Sequence, residues 1–97
     1  MTAEITLIAT INALPGHTEA VAAGLQELVT ASRAEPGCLQ YDLHRHQTRA
    51  EQFVMIERWR DAEALDQHRA TRHFQHFTHT FGERLVGIDL LPLQRIA

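Results

Sequence analysis

His68 and His73 stand five residues apart in the segment His68-Arg69-Ala70-Thr71-Arg72-His73-Phe74. A neutral imidazole takes up a proton near pH 7, so either ring suits general-base work beside a pocket. The structural alternative is that the rings hold a junction between two short helices, as buried polar groups need partners. Glu57 alternates with Phe53, Met55 and Trp59. A carboxylate on an apolar face is costly unless paired, and burial raises its pKa into the range of a usable acid or base. A structural ion pair with an arginine is the competing reading. Tyr41 and Trp59 can line a flat pocket for an aromatic ring, with the Tyr41 hydroxyl as a polar handle. For Trp59 core packing is favoured, and Phe74, nearest the histidines, serves as core, as pocket wall, or as both.

A metal is not expected. His73, His76 and His79 recur at three-residue spacing, and His44 and His46 share a strand face. Histidine clusters can bind zinc. An i, i+3, i+6 series, however, drifts around a helix by about 60° per step, and no convergent carboxylate or cysteine is evident. Cys38, the single cysteine, follows a Pro-Gly turn and has no C-x-x-C partner; it reads as a small buried hydrophobe.

The elements that must position these residues follow from periodicity. Ile5 to Leu14 is rich in β-branched residues and stops at Pro15-Gly16, a strand. From His17 to about Arg33, Val21, Leu25, Leu28, Val29 and Ser32 share one helical face, and Pro36-Gly37 ends the segment. Cys38 to His46 alternates, with Leu39, Tyr41 and Leu43 pointing one way. Gln47 to Ala50 is a hairpin loop, and Gln52 to Trp59 is a third strand. Asp61 is a suitable N-cap for a short helix through Leu65, His68 and Arg69, and Thr71 for a second one. Phe74, Phe77, Phe81 and Leu85 form a stripe on the latter. Gly87 to Ile96 is a last strand, and Pro92 within it marks an edge or a bulge.

The order is βαββαβ, an α+β ferredoxin-like antiparallel sheet read as a single domain over residues 1–97. Its helices cover one sheet face. Val54 and Ile56 oppose Phe53 and Met55, so the sheet is apolar on both sides. A bare second face would be a large exposed patch. A second copy of the chain packed sheet to sheet would cover it, so a homodimer is expected.

Composition excludes several classes. The 97 residues carry 44% hydrophobic residues and a net charge of −3, and all nine basic residues are Arg. That balance gives no electrostatic footprint for nucleic acid. One cysteine excludes a disulfide-stapled secreted domain. The N-terminus has no positive n-region, and no apolar run approaches the roughly 20 residues of a membrane span. A cytoplasmic protein with no membrane partner is expected.

Three segments carry a resemblance. They are Glu35-Pro36-Gly37-Cys38 before the strand with Tyr41, then Met55-Ile56-Glu57-Arg58-Trp59, then His68 to Phe74. In order and spacing they resemble the antibiotic biosynthesis monooxygenase domain, especially its quinol monooxygenase branch, over nearly the whole chain. The resemblance implies a dimeric α+β barrel with a pocket between sheet and helices in each subunit. It also implies oxygenation of a small quinol-like or phenolic substrate without a cofactor. In that reading His68 is the leading proton acceptor, and Tyr41 and Glu57 position or polarise the substrate. His73 and Arg69 bind a polar group, and Trp59, Met55 and Phe74 form walls.

The haem-degrading branch of the family uses an Asn in the first strand, a Trp and a downstream His. Those positions fall here near Ala9, at His68 and at Thr78, which argues against haem degradation. The resemblance leaves two rivals: isomerisation of a small phosphorylated carbonyl compound, with Arg69 or Arg72 meeting the phosphate, and small-molecule binding without catalysis.

Overall fold

The computed structural model describes residues 3–97. Strand β1 (Ile5–Ala13) is followed by helix α1 (Thr18–Arg33), β2 (Cys38–Arg45), β3 (Gln52–Trp59), α2 (Ala62–Arg69), α3 (Arg72–Phe81), a 3-10 turn over Gly82–Arg84, and β4 (Leu85–Leu93). The strands form one antiparallel sheet in the order β2-β3-β1-β4. This is the expected α+β ferredoxin-like arrangement. None of the described helices is long and apolar enough to cross a membrane.

The buried core lies between the sheet and the helices. Leu7, Ala9 and Ile11 of β1 alternate inward with Phe53, Met55, Glu57 and Trp59 of β3. Against them α1 buries Val21, Leu25, Leu28, Val29 and Ser32, the face its periodicity marks. The opposite sheet face carries Ile8 between Ile56 of β3 and Leu91 of β4, with Val54 beside them. Cross-strand partners share a face, so these residues form an apolar row that the described helices leave uncovered. Leu91 there is 54% exposed.

Three boundary expectations are corrected. Leu39 does not share a face with Tyr41: a bulge falls between Cys38 and Gln40, so Leu39 has no paired position and is exposed. Leu85 does not extend the α3 stripe, because the helix ends at Phe81 and Leu85 opens β4. β4 begins two residues earlier than Gly87 and ends at Leu93. It is an edge strand, which is how Pro92 is tolerated within it.

Candidate active site

Both helix starts that flank the histidines are capped by the residues expected to do so. The Asp61 carboxylate accepts from the Ala64 amide at 2.8 Å, and this bond, with Arg60, holds its carboxyl below the usual range. The Thr71 hydroxyl accepts from the Phe74 amide at 3.3 Å and donates to the His68 carbonyl at 2.6 Å. That one hydroxyl joins the end of α2 to the start of α3, which sets His68 and His73 on either side of a sharp junction.

Glu35 completes the site from elsewhere in the chain. It sits in the turn between α1 and β2, where the Cys38 amide donates to its carbonyl at 3.0 Å. Gly37 in that turn lies flush on α2, because a Cβ there would collide with the Cβ of Ala64. The close approach brings the Glu35 carboxylate to the two rings. Its Oε2 lies 2.7 Å from His68 Nδ1 and 2.6 Å from His73 Nε2.

These contacts fix the tautomers. An ionised carboxylate only accepts, so both imidazole nitrogens facing it are donors. Neutral His68 then keeps a lone pair on Nε2, which lies 3.5 Å from the Tyr41 hydroxyl, the outer limit of hydrogen-bond reach. Burial pushes the His68 pKa down, and Glu35 pulls the other way. The ring is 1% exposed and wedged among aromatic groups, with centroids 4.5 Å from Trp59, 4.9 Å from Phe74 and 5.3 Å from Tyr41. Burial, reinforced by the charge of Glu57, pushes the Tyr41 hydroxyl up, so it stays protonated.

A cavity of about 220 Å³ lies between the sheet and the helices, below the roughly 300–1,000 Å³ of sites for drug-sized ligands. Its walls are mainly aliphatic and aromatic, with His68, Tyr41, Glu57 and Arg69 as the ionisable groups lining it. Met55 and Phe74 line it. Ile88 and Leu90 pair with Ile11 and Ala9 and so face the helix side, yet they are 43% and 52% exposed. The cavity opens at this edge.

Glu57 projects into the cavity from β3. Burial raises its pKa to about 7, against the pull of the indole N–H of Trp59, which donates to it at 2.9 Å. Near neutral pH this carboxyl exchanges between a donor and an acceptor. The alternative reading, an ion pair with an arginine, is not met among the described residues; Trp59 is its hydrogen-bond partner.

Two expected residues lie outside the cavity. Trp59 is fully buried; its indole N–H donates to Glu57 and its ring packs on His68, and it does not line the cavity. His73 faces a separate surface cleft between α1 and α3, with Arg72 and His76, and reaches the cavity only through Glu35 and His68. Glu35, a turn residue with no local signal in the sequence, joins the site through packing alone. It is also the convergent carboxylate that the histidine spacing lacked. Cys38 is half-buried against the core rather than fully buried as expected, and this burial pushes its thiol up.

The chain is similar to several known proteins. The family model described as antibiotic biosynthesis monooxygenase matches residues 4–80. The crystal structure of PA3566 from Pseudomonas aeruginosa superposes with a TM-score of 0.95 at 47% identity, covering 100% of this chain and 98% of that one. The Bacillus subtilis protein named "Putative monooxygenase YcnE" is 42% identical over 86 residues, 89% of this chain and 90% of its own length. The structure of Rv0793 from Mycobacterium tuberculosis has a TM-score of 0.92 at 30% identity, covering 98% and 97% of the two chains.

Proposed function

The chain belongs to the antibiotic biosynthesis monooxygenase family, and from that membership we propose that it oxygenates a small quinol-like or phenolic substrate without a cofactor. The observation that carries this reading is His68: a buried imidazole at the wall of an apolar cavity, held by Glu35 so that its Nε2 accepts. A substrate hydroxyl placed there gives its proton to Nε2, and the resulting phenolate is electron-rich enough to meet O₂. Glu35 stabilises the imidazolium that forms. Tyr41, and Glu57 when protonated, donate hydrogen bonds to substrate oxygens. Arg69 offers the cavity's fixed positive charge to the phenolate.

The net change converts a quinol and O₂ to a hydroxyquinone and water. One oxygen atom enters a ring C–H bond; the other takes two hydrogens and leaves as water. All four electrons come from the substrate.

The small volume and apolar walls suit a single aromatic ring better than a phosphorylated, highly hydrated substrate, so oxygenation is preferred to isomerisation. A cavity of this kind also supports a ligand-bearing site over a vestigial one.

The protein works as a homodimer in this reading, with the row of Ile8, Val54, Ile56 and Leu91 packed against its copy. Oxygen consumption with a panel of quinols, under a chelator and with ¹⁸O₂ as the label, tests the activity. Incorporation of one labelled atom per product supports it. The absence of uptake across the panel contradicts it.

A further inference from the structure

We propose that Glu35, His68 and His73 form a site for one divalent transition-metal cation, and that its occupancy switches the His68 base off. The site stands on geometry alone; the switch rests on the proposed role of His68.

Among the described residues, these three form the one group whose ligand atoms all lie within 4.8 Å of one another. The set is two imidazole nitrogens and a carboxylate oxygen, a composition that selects zinc, cobalt, nickel or copper over magnesium or calcium. One cation replaces the two N–H protons that Glu35 Oε2 now accepts. Metal–nitrogen and metal–oxygen bonds are about 2.0–2.2 Å, which separates tetrahedral ligands by more than the present 2.6 and 2.7 Å. The carboxylate must therefore retreat by a fraction of an ångström. It hangs on a side chain of three torsions in a turn, which can supply that shift.

The surroundings fit. A metal-bound histidine donates its other ring N–H to an oxygen partner, and His68 Nε2 has the Tyr41 hydroxyl at 3.5 Å. His73 is 27% exposed at its side chain and faces the surface cleft, which gives the cation a way in and water a place as a further ligand. Arg69 and Arg72 oppose a cation nearby and limit the affinity.

The consequence for the base follows from the side on which the metal binds. Coordination at Nδ1 leaves a neutral imidazole with its proton on Nε2. The nitrogen that faces Tyr41 then donates instead of accepting and cannot take a proton from a substrate hydroxyl.

Titration of the full, chelator-treated chain with Co²⁺, read by visible absorption and equilibrium dialysis, tests the site. One Co²⁺ per chain is expected, displaced by Zn²⁺. Both His73→Gln and Glu35→Gln should weaken binding by at least about 100-fold, beyond the loss from an outer partner. His76→Gln and His79→Gln should leave it intact. Wild-type binding in His73→Gln, dependence on His76 or His79 instead, or no binding at about 1 mM Co²⁺ overturns the site. Circular dichroism identifies any variant that has lost its fold, and His73, the more exposed of the two histidines, gives the variant less prone to do so. The ¹⁵N shift of His68 Nε2 reads the switch without any substrate. A change from unprotonated to protonated on adding Zn²⁺ supports it, and an unprotonated Nε2 in the metal-bound chain overturns it.

Discussion

The Glu35 carboxylate meets His68 Nδ1 at 2.7 Å across 33 residues of chain, from a turn that neither histidine helix adjoins in sequence. This contact decides which imidazole nitrogen carries the proton, and so which one keeps a lone pair towards the cavity. The same oxygen holds His73 at 2.6 Å, so a buried ring and a surface ring share one anchor.

Glu35→Gln is expected to lower quinol turnover by roughly 10²–10⁴-fold, the range of a misdirected general base. A Gln amide can accept from one ring while presenting its own N–H₂ to the other, so the tautomer of His68 is no longer fixed. The ¹⁵N–¹H correlation pattern of His68 should change from a single Nδ1–H form to a mixture. An unchanged tautomer with unchanged turnover removes Glu35 from the account.

Gly37→Ala should destabilise the fold by about 1–3 kcal/mol, because the new methyl meets the Cβ of Ala64, which cannot turn aside. Gly24→Ala makes a useful contrast. Its methyl meets the edge of the Phe81 ring, a half-buried side chain that can rotate. It also gains about 1 kcal/mol of helix propensity within α1. Urea unfolding should place the second variant near the wild type and the first well below it.

Glu57 makes stability fall as pH rises. Its carboxyl has an ordinary pKa of 4.5 unfolded and about 7 folded, so its contribution is complete below pH 4.5 and is lost by about pH 7. The loss is about 3 kcal/mol at most. His68 acts in the opposite sense: its folded pKa is lowered, so its contribution is present above its unfolded value and lost as pH falls. Comparing Glu57→Gln with the wild type isolates the carboxyl. The variant should gain relative stability between pH 5 and 8 in urea midpoints, and a constant difference across that interval would contradict the assignment.

Ile56→Lys places a charge in the middle of the uncovered row, beside Ile8 and opposite the helices. Across a twofold axis each copy would bury one such charge without a partner, two per dimer. Sedimentation should show a dimer for the wild type and a monomer for the variant. A monomeric wild type at micromolar concentration would remove the sheet-to-sheet assembly.

The layers were legible because periods of 2 and 3.6 residues alternate along the chain with clear stops at Pro15-Gly16 and Pro36-Gly37. Asp61 and Thr71 were legible for the same local reason: a cap is a matter of one residue and the next turn. Leu39 was not, since a bulge is set by pairing with β3 rather than by the alternation of β2. Leu85 was not, because a helical spacing continues on paper past the point where the chain turns into β4. His68, Glu57 and Tyr41 could be singled out as polar groups at apolar positions, and they do line one cavity. Glu35 gave no such signal. Its neighbours in sequence form a Pro-Gly turn with no periodicity to point it inward, and the packing of Gly37 on Ala64 brings it to the histidines.

The proposed chemistry turns on His68 as the base. Oxygen uptake by His68→Gln is the decisive measurement, made with the best quinol found for the wild type and with folding checked by thermal melting. A fall of roughly 10²–10⁴-fold in kcat with a folded protein is expected. Turnover equal to the wild type would remove His68 from the reaction.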